Sequence, residues 1–204
     1  NNILQFHSIL LQFSEKDQMH KGEYKNSDNA VVMKNERGEE VVLFNATKPY
    51  LVKPEMEAII DWTNQEMEKK ELHPVLIIAN FVFEFLAIHP FFDGNGRLSR
   101  ALTNLLLLRN DYAYVPYASL DEIIEERKDK YYLSLRATQN NHKTEHEDIT
   151  PWLNFLLDAL LTQGDVARAS GIDQGSVSRI LSKDTRGNYT KETVEKVLMA
   201  AREL

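Results

Sequence analysis

The sequence has no cysteine, which excludes disulfides, thiolate zinc sites and cysteine nucleophiles together and suits a reducing compartment. No apolar run approaches the roughly 20 residues that a bilayer crossing needs. The opening stretch, NNILQFHSILLQFSEKD, lacks the basic start and clean apolar segment of a secretory signal. A cytoplasmic protein with no membrane association is expected. Glycine and proline number only 8 and 6 among 204 residues, too few for a low-complexity chain. The first residue is Asn1 and not methionine, so further residues upstream are expected.

What is present fits a globular protein, 43% hydrophobic and 27% charged. The length suits one core of ordinary size plus a small second module. The net charge of −7 is unevenly spread: residues 1–162 carry 17 basic against 25 acidic side chains, and residues 163–204 carry 7 against 6. Two domains divided at 162/163 are expected, an acidic body and a near-neutral tail meeting different partners.

Ile3, Leu4, Phe6, Ile9, Leu10 and Phe13 recur at helical spacing and predict a first helix. Two β-branched runs, Val31–Met33 and Val41–Phe44, flank Asn35-Glu36-Arg37-Gly38 and predict a hairpin over about 30–45. Taken alone, this is equally well an incidental surface ribbon. Pro54 is placed to start an amphipathic helix carrying Met56, Ile59, Ile60, Trp62 and Met67 on one stripe. From Val75 to Ile88 nearly every position is apolar except Asn80 and Glu84, as in a helix buried on all sides. Further helices are expected at RLSRALTNLLLLRND, at LDEIIEERKDKYYLSLRATQNN, and at ITPWLNFLLDALL with Thr150 as cap and Pro151 in its first turn. The body is therefore all-α with one hairpin.

Between two buried helices lies HPFFDGNGRLSR, His89 to Arg100. Gly94-Asn95-Gly96 just before a helix exposes backbone N–H groups where the helix dipole is positive, a ready anion site. Arg97 and Arg100, three apart, project from one helix face, and their forks suit a di- or triphosphate. Asp93 adds a hard oxygen that fits Mg²⁺ bridging phosphates. His89 is placed to take a proton from an incoming hydroxyl. Nucleotidyl or phosphoryl transfer follows. Singly, each of these residues is explained as well by a turn, and only their combination favours chemistry.

His89, Pro90, Phe91, Asp93, Gly94, Asn95, Gly96, Arg97 and Arg100 match the signature HPFx(D/E)GNGRxxR, and over most of residues 1–160 the chain resembles the Fic family. The resemblance implies a helical bundle with a β-hairpin flap, and transfer of AMP from ATP to a Ser, Thr or Tyr hydroxyl of a protein target. It implies His89 as general base, Asp93 on Mg²⁺, and Gly94, Asn95 and Gly96 as the nest with Asn95 touching the α-phosphate. Arg97 would bind the β-phosphate and Arg100 the γ-phosphate, while Phe91 anchors the loop. Gly96 stands where the phosphate-transferring branch carries lysine. Val31, Val32, Val41 and Val42 would form the flap that aligns the target by adding a strand to it. The family's inhibitory pattern (S/T)xxxE(G/N) is missing, since no Glu precedes Gly or Asn; the element is expected upstream, with a second chain or an unrestrained enzyme as alternatives.

In the tail, Val166, Ala167, Gly171, Ile172, Val177, Ile180 and Leu181 are spaced as a helix-turn-helix, followed by a third helix capped at Thr190. It resembles the DNA-binding head of the lactose-repressor family. That resemblance implies that Asp173 caps the recognition helix and that Gln174, Ser176 and Arg179 face the major groove. A charge near +1 is low for phosphate neutralisation, so a homodimer is expected if DNA is bound. A protein-binding role is the alternative for the tail. For the whole chain the alternative is a nucleotide-sensing, DNA-bound transcriptional regulator without transferase activity.

Overall fold

The computed structural model describes residues 2–12, 20–34 and 40–169. The tail from 170 onward, with Gln174, Ser176 and Arg179, lies outside the described residues. Seven α-helices and one antiparallel pair of strands are seen among them: α1 (Asn2–Leu10), β1 (Ala30–Lys34), β2 (Glu40–Asn45), α2 (Pro49–Lys69), α3 (Pro74–Ile88), α4 (Asn95–Arg109), α5 (Leu120–Glu126), α6 (Lys128–Gln139) and α7 (Thr150–Ala169). Among the described residues no helix is long and apolar enough to cross a membrane.

The centre is α3. Pro74 supplies its first turn with a preset φ, and His73 Nδ1 accepts the Val75 N–H at 3.3 Å. Every residue from Val75 to Ile88 is buried, because α2, α4 and α7 pack around it. Trp152 of α7 donates its indole N–H to the Ala79 carbonyl at 2.8 Å, which fixes α7 on α3 inside an otherwise apolar contact. The strands pair with Val31 opposite Phe44, Val32 opposite Val42 and Met33 opposite Val41, with an irregularity between Val31 and Val32.

Four local expectations change. The helix read from Pro54 starts five residues earlier at Pro49, and Pro54 lies inside it; the carbonyl left without its donor belongs to Tyr50, which is exposed. The single helix read from Leu120 is broken at Arg127, whose φ of −114° leaves the helical range. Its guanidinium instead reaches Asp158 at 2.6 Å and Thr162 at 2.9 Å on α7. At the start of α7 Thr150 is not the cap: Asp148 Oδ1 accepts the Thr150 N–H at 2.9 Å. Finally, the expected division at 162/163 falls inside α7, where Gln163 donates to the Ala118 carbonyl at 2.8 Å and Ala167 is buried.

Candidate active site

His89 ends α3 by adopting the left-handed conformation, φ 50° and ψ 62°, with its N–H bonded to the Phe85 carbonyl at 3.0 Å. Pro90 then prevents the helix from resuming. A left-handed non-glycine residue costs roughly 1–2 kcal/mol, so its surroundings must hold it there. They do so through the loop that follows. Phe91 is completely buried, and the His7 ring of α1 stacks on it with centroids 3.7 Å apart and planes 8° from parallel. His7 Nδ1 accepts the Gly22 N–H at 2.9 Å, so Nε2 carries the proton and donates to the Asp93 carbonyl at 3.0 Å. One imidazole thus joins α1, the segment after it and the loop.

Asn95 closes the loop on itself. Its Oδ1 accepts the Phe91 N–H at 3.0 Å and its Nδ2 donates to the Phe91 carbonyl at 2.7 Å. The carboxamide thus braces the loop, while its second Nδ2 N–H and the backbone N–H of Asn95 are not used in these two bonds. Gly94 sits at φ 82°, which favours glycine, and a Cβ there would lie 3.4 Å from Leu11 and 3.5 Å from His7. Its N–H is taken by Asp93 Oδ1 at 2.6 Å. The nest therefore comes from Asn95, Gly96 and Arg97, which precede the first bond of α4, Leu98 N–H to the Gly94 carbonyl at 2.8 Å.

Neither arginine stands free. Arg97 Nη2 meets Asp93 Oδ2 at 2.9 Å, both side chains close to half exposed. Arg100 Nε donates to Asp121 of α5. A Cβ on Gly96 would come within 3.3 Å of Arg100 Nη1, so the guanidinium lies across the glycine with its Nε tied behind it. Asp121 carries no signal in the motif, and only the fold reveals it.

His89, Gly96 and Arg100 share a cavity of about 160 Å³ with Phe44, Tyr132 and Gln139. Phe44, from β2, presents its ring edge-on to His89 at 6.2 Å, so the hairpin carrying Val31, Val32, Val41 and Val42 reaches the site through its second strand. Burial lowers the His89 pKa from its ordinary value to about 4; the Leu86 backbone works against this, and the charge of Lys25 adds to it. The imidazole is therefore neutral at pH 7. Its Nδ1 is buried and makes no hydrogen bond of normal geometry. The Gln139 carboxamide has both polar atoms buried and without partners in the same cavity, a donor and an acceptor waiting for a ligand.

Asp93 is a single half-exposed carboxylate, the kind of ligand Mg²⁺ takes alongside waters and phosphate oxygens, and its two oxygens here meet the Gly94 N–H and Arg97. A second group capable of holding a metal does not include Asp93. Glu84, His142 and Glu147 bring ligand atoms within 4.8 Å of one another beside a separate cavity of about 700 Å³. His142 Nε2 lies 2.9 and 3.1 Å from the two Glu84 oxygens, tying α3 to the α6–α7 connection. Burial opposes a charged His142, but the Glu84 hydrogen bond and the charges of Glu84 and Glu147 outweigh it and raise its pKa.

The sequence profile of the Fic/DOC family matches residues 1–107, slightly more than half of the chain. The chain belongs to the Fic/DOC family. Among curated relatives of this Fic/DOC chain, the protein adenylyltransferase Fic of Drosophila willistoni is 37% identical over 103 residues, covering 50% of this chain and 18% of that protein. The protein of the same name from Drosophila persimilis is 37% identical over 97 residues, 48% of this chain and 16% of that one. The chain thus spans less than a fifth of the length of either relative. A Fic domain-containing signaling protein from Bacteroides thetaiotaomicron superposes with a TM-score of 0.65 at 28% identity, over 84% of this chain and 63% of the other. A Fic family protein from Desulfovibrio desulfuricans, at 24% identity and a TM-score of 0.64 over 88% of this chain and 55% of the other, shares the fold.

Proposed function

We propose that the chain is a protein adenylyltransferase that moves AMP from ATP to a Ser, Thr or Tyr hydroxyl of a protein target, itself included. The observation that carries this reading is the placing of a neutral, buried imidazole, a phosphate nest, an arginine and an unpaired carboxamide around one cavity. The names of the curated relatives support the same activity.

In the proposed reaction, His89 Nε2 accepts the proton of the attacking hydroxyl. The hydroxyl oxygen bonds to the α-phosphorus while the bond from that phosphorus to the β-bridging oxygen breaks. The electron pair and charge leave with pyrophosphate. Backbone N–H groups of Asn95, Gly96 and Arg97 hold phosphate oxygens, with Gly94 shaping the turn, and Arg97 and Arg100 take the β- and γ-phosphates. Arg97 exchanges Asp93 for phosphate as it does so. Asp93 would hold Mg²⁺, which would supply neutralisation of the phosphate charge. The Gln139 carboxamide, with a donor and an acceptor, is suited to the edge of the purine, and Tyr132 lies beside it. The free edge of the hairpin, backed by Phe44, aligns the target segment by strand addition, with Val31, Val32, Val41 and Val42 as its paired positions.

Incubation with Mg²⁺ and ATP labelled on either the α- or the γ-phosphate tests this. Label is expected on protein from the α-position only; label arriving from the γ-position alone would mean phosphate transfer instead.

Asp121 orients Arg100 from behind its Nε. Asp121→Ala is expected to raise the KM for ATP about five-fold, corresponding to about 1 kcal/mol for one charge-assisted hydrogen bond at a partly exposed site, with kcat little changed. An unchanged KM would remove Asp121 from the site.

The tail reading, a helix-turn-helix contacting DNA through Gln174, Ser176 and Arg179 as a homodimer, rests on sequence pattern. A gel shift with duplex DNA at two salt concentrations checks it, with retardation that weakens at high salt expected for DNA binding.

A further inference from the structure

Lys25 is a charged residue in an unusual place. It is 3% exposed and belongs to neither a helix nor a strand. Its backbone N–H donates to the Pro90 carbonyl at 2.9 Å, and its Nζ donates to the Ile88 carbonyl at 3.2 Å. It therefore grips the peptide groups on both sides of His89. Nζ also meets Asn29 Oδ1 at 2.6 Å, and Asn29 Nδ2 donates to the Phe91 carbonyl at 3.1 Å. Between them Lys25 and Asn29 bind three of the four carbonyls from Ile88 to Phe91. These are the bonds that hold the left-handed turn at His89 against its intrinsic cost.

A neutral donor would satisfy the same carbonyls, so the charge asks for a separate reason. Burial lowers the Lys25 pKa to about 8, while Asp28 and Glu55 hold it up and Lys48 works with burial. It remains an ammonium at pH 7. Its Nζ is bonded to the carbonyl of the residue before His89, and a positive charge placed there disfavours the imidazolium. The other cations that line the His89 cavity are Arg100, which is paired with Asp121, and Arg136, which is exposed to solvent.

We propose that Lys25 is the positioning residue for His89: it fixes the turn that aims the imidazole and, through its buried charge, adds to the burial that keeps that imidazole in the proton-accepting form. The inference rests on His89 as the base, but its electrostatic half concerns the free protein and is tested without turnover.

The experiment compares full-length Lys25→Arg, which keeps the charge, with Lys25→Gln, which keeps a carbonyl donor and removes the charge. Histidine Cε1 resonances are followed by NMR against pH, with His89 assigned from the spectrum of His89→Gln. In Lys25→Gln the His89 titration is expected to shift to higher pH, and the acid limb of AMP transfer to shift with it. Lys25→Arg is expected to titrate like the unsubstituted protein. An unshifted His89 titration in Lys25→Gln overturns the proposal, as does an equal shift in both variants. If no AMP transfer is seen even in the unsubstituted protein, the proposed activity fails while the NMR comparison still decides the role of Lys25. Should Lys25→Gln not fold, Lys25→Met, also without nucleotide, is read by the same criterion.

Discussion

His89→Ala is expected to reduce transfer of the α-phosphate label about 10²–10⁴-fold, the usual contribution of a positioned general base, while ATP binding is retained. The retained binding follows from the separation of roles: the nest comes from the backbone N–H groups of Asn95, Gly96 and Arg97, none of which depends on the imidazole. The pH profile carries a second signature of the same residue. With its pKa lowered to about 4 by burial, His89 binds a proton only as the pH falls toward 4 and is free to accept one above that. An unperturbed histidine would be about nine-tenths protonated at pH 5.5. Transfer rates at pH 5.5 and pH 7.5 are therefore expected to be similar, where an ordinary histidine would give about a ten-fold loss. A ten-fold loss over that interval, with Mg²⁺ and ATP saturating, would sink the assignment of a buried neutral base. The same lowered pKa makes folding weaken as pH drops from about 6.5 toward 4, since the unfolded chain then binds a proton that the folded one refuses.

Phe91→Ala is expected to cost about 3–5 kcal/mol of stability, the range for a buried aromatic truncated to alanine. In a chain of this length that corresponds to a fall of about 6–20 °C in Tm. The side chain is wholly buried among His7, Tyr24 and Phe85. The loss therefore includes the aromatic stack that fixes His7, and with it the His7 bond to the Asp93 carbonyl. Thermal melts followed by circular dichroism check this. A fall of less than about 3 °C, near 1 kcal/mol, would show that the loop stands without its anchor. Phe91→Leu, which keeps most of the volume, is expected to lose less.

The sequence disclosed what is contiguous and concealed what is assembled. His89, Asp93, the glycines and both arginines fall within twelve residues, so the motif is legible as a unit, and α3 announces itself through a run that is apolar except at Asn80 and Glu84. His7, Lys25, Asn29 and Asp121 gave no such sign. Each is a common polar residue whose partner in the loop or on Arg100 lies 21 to 86 positions away in the chain, and no periodicity links residues across such distances. His7 is further disguised, since the apolar positions of α1 include Phe6 and Ile9, which are exposed, while its buried residues are Ile3 and His7 itself. The break at Arg127 was hidden for the same reason: locally the segment is a good helix, and only Asp158 and Thr162 on α7 make leaving it favourable. Asn95 stands between the two cases: the motif marks it, but only the fold shows that its carboxamide also closes the loop on Phe91.

That side chain has a thermodynamic consequence. Two hydrogen bonds from one carboxamide to the N–H and carbonyl of Phe91 convert residues 91–95 into a small ring, closed partly by covalent bonds and partly by hydrogen bonds. A five-residue loop that would otherwise sample many shapes loses that freedom when the protein folds, not when an anion arrives. An anion held at the start of α4 would meet a cradle already set, and the free energy of its contacts would not be offset by the entropy of freezing this loop.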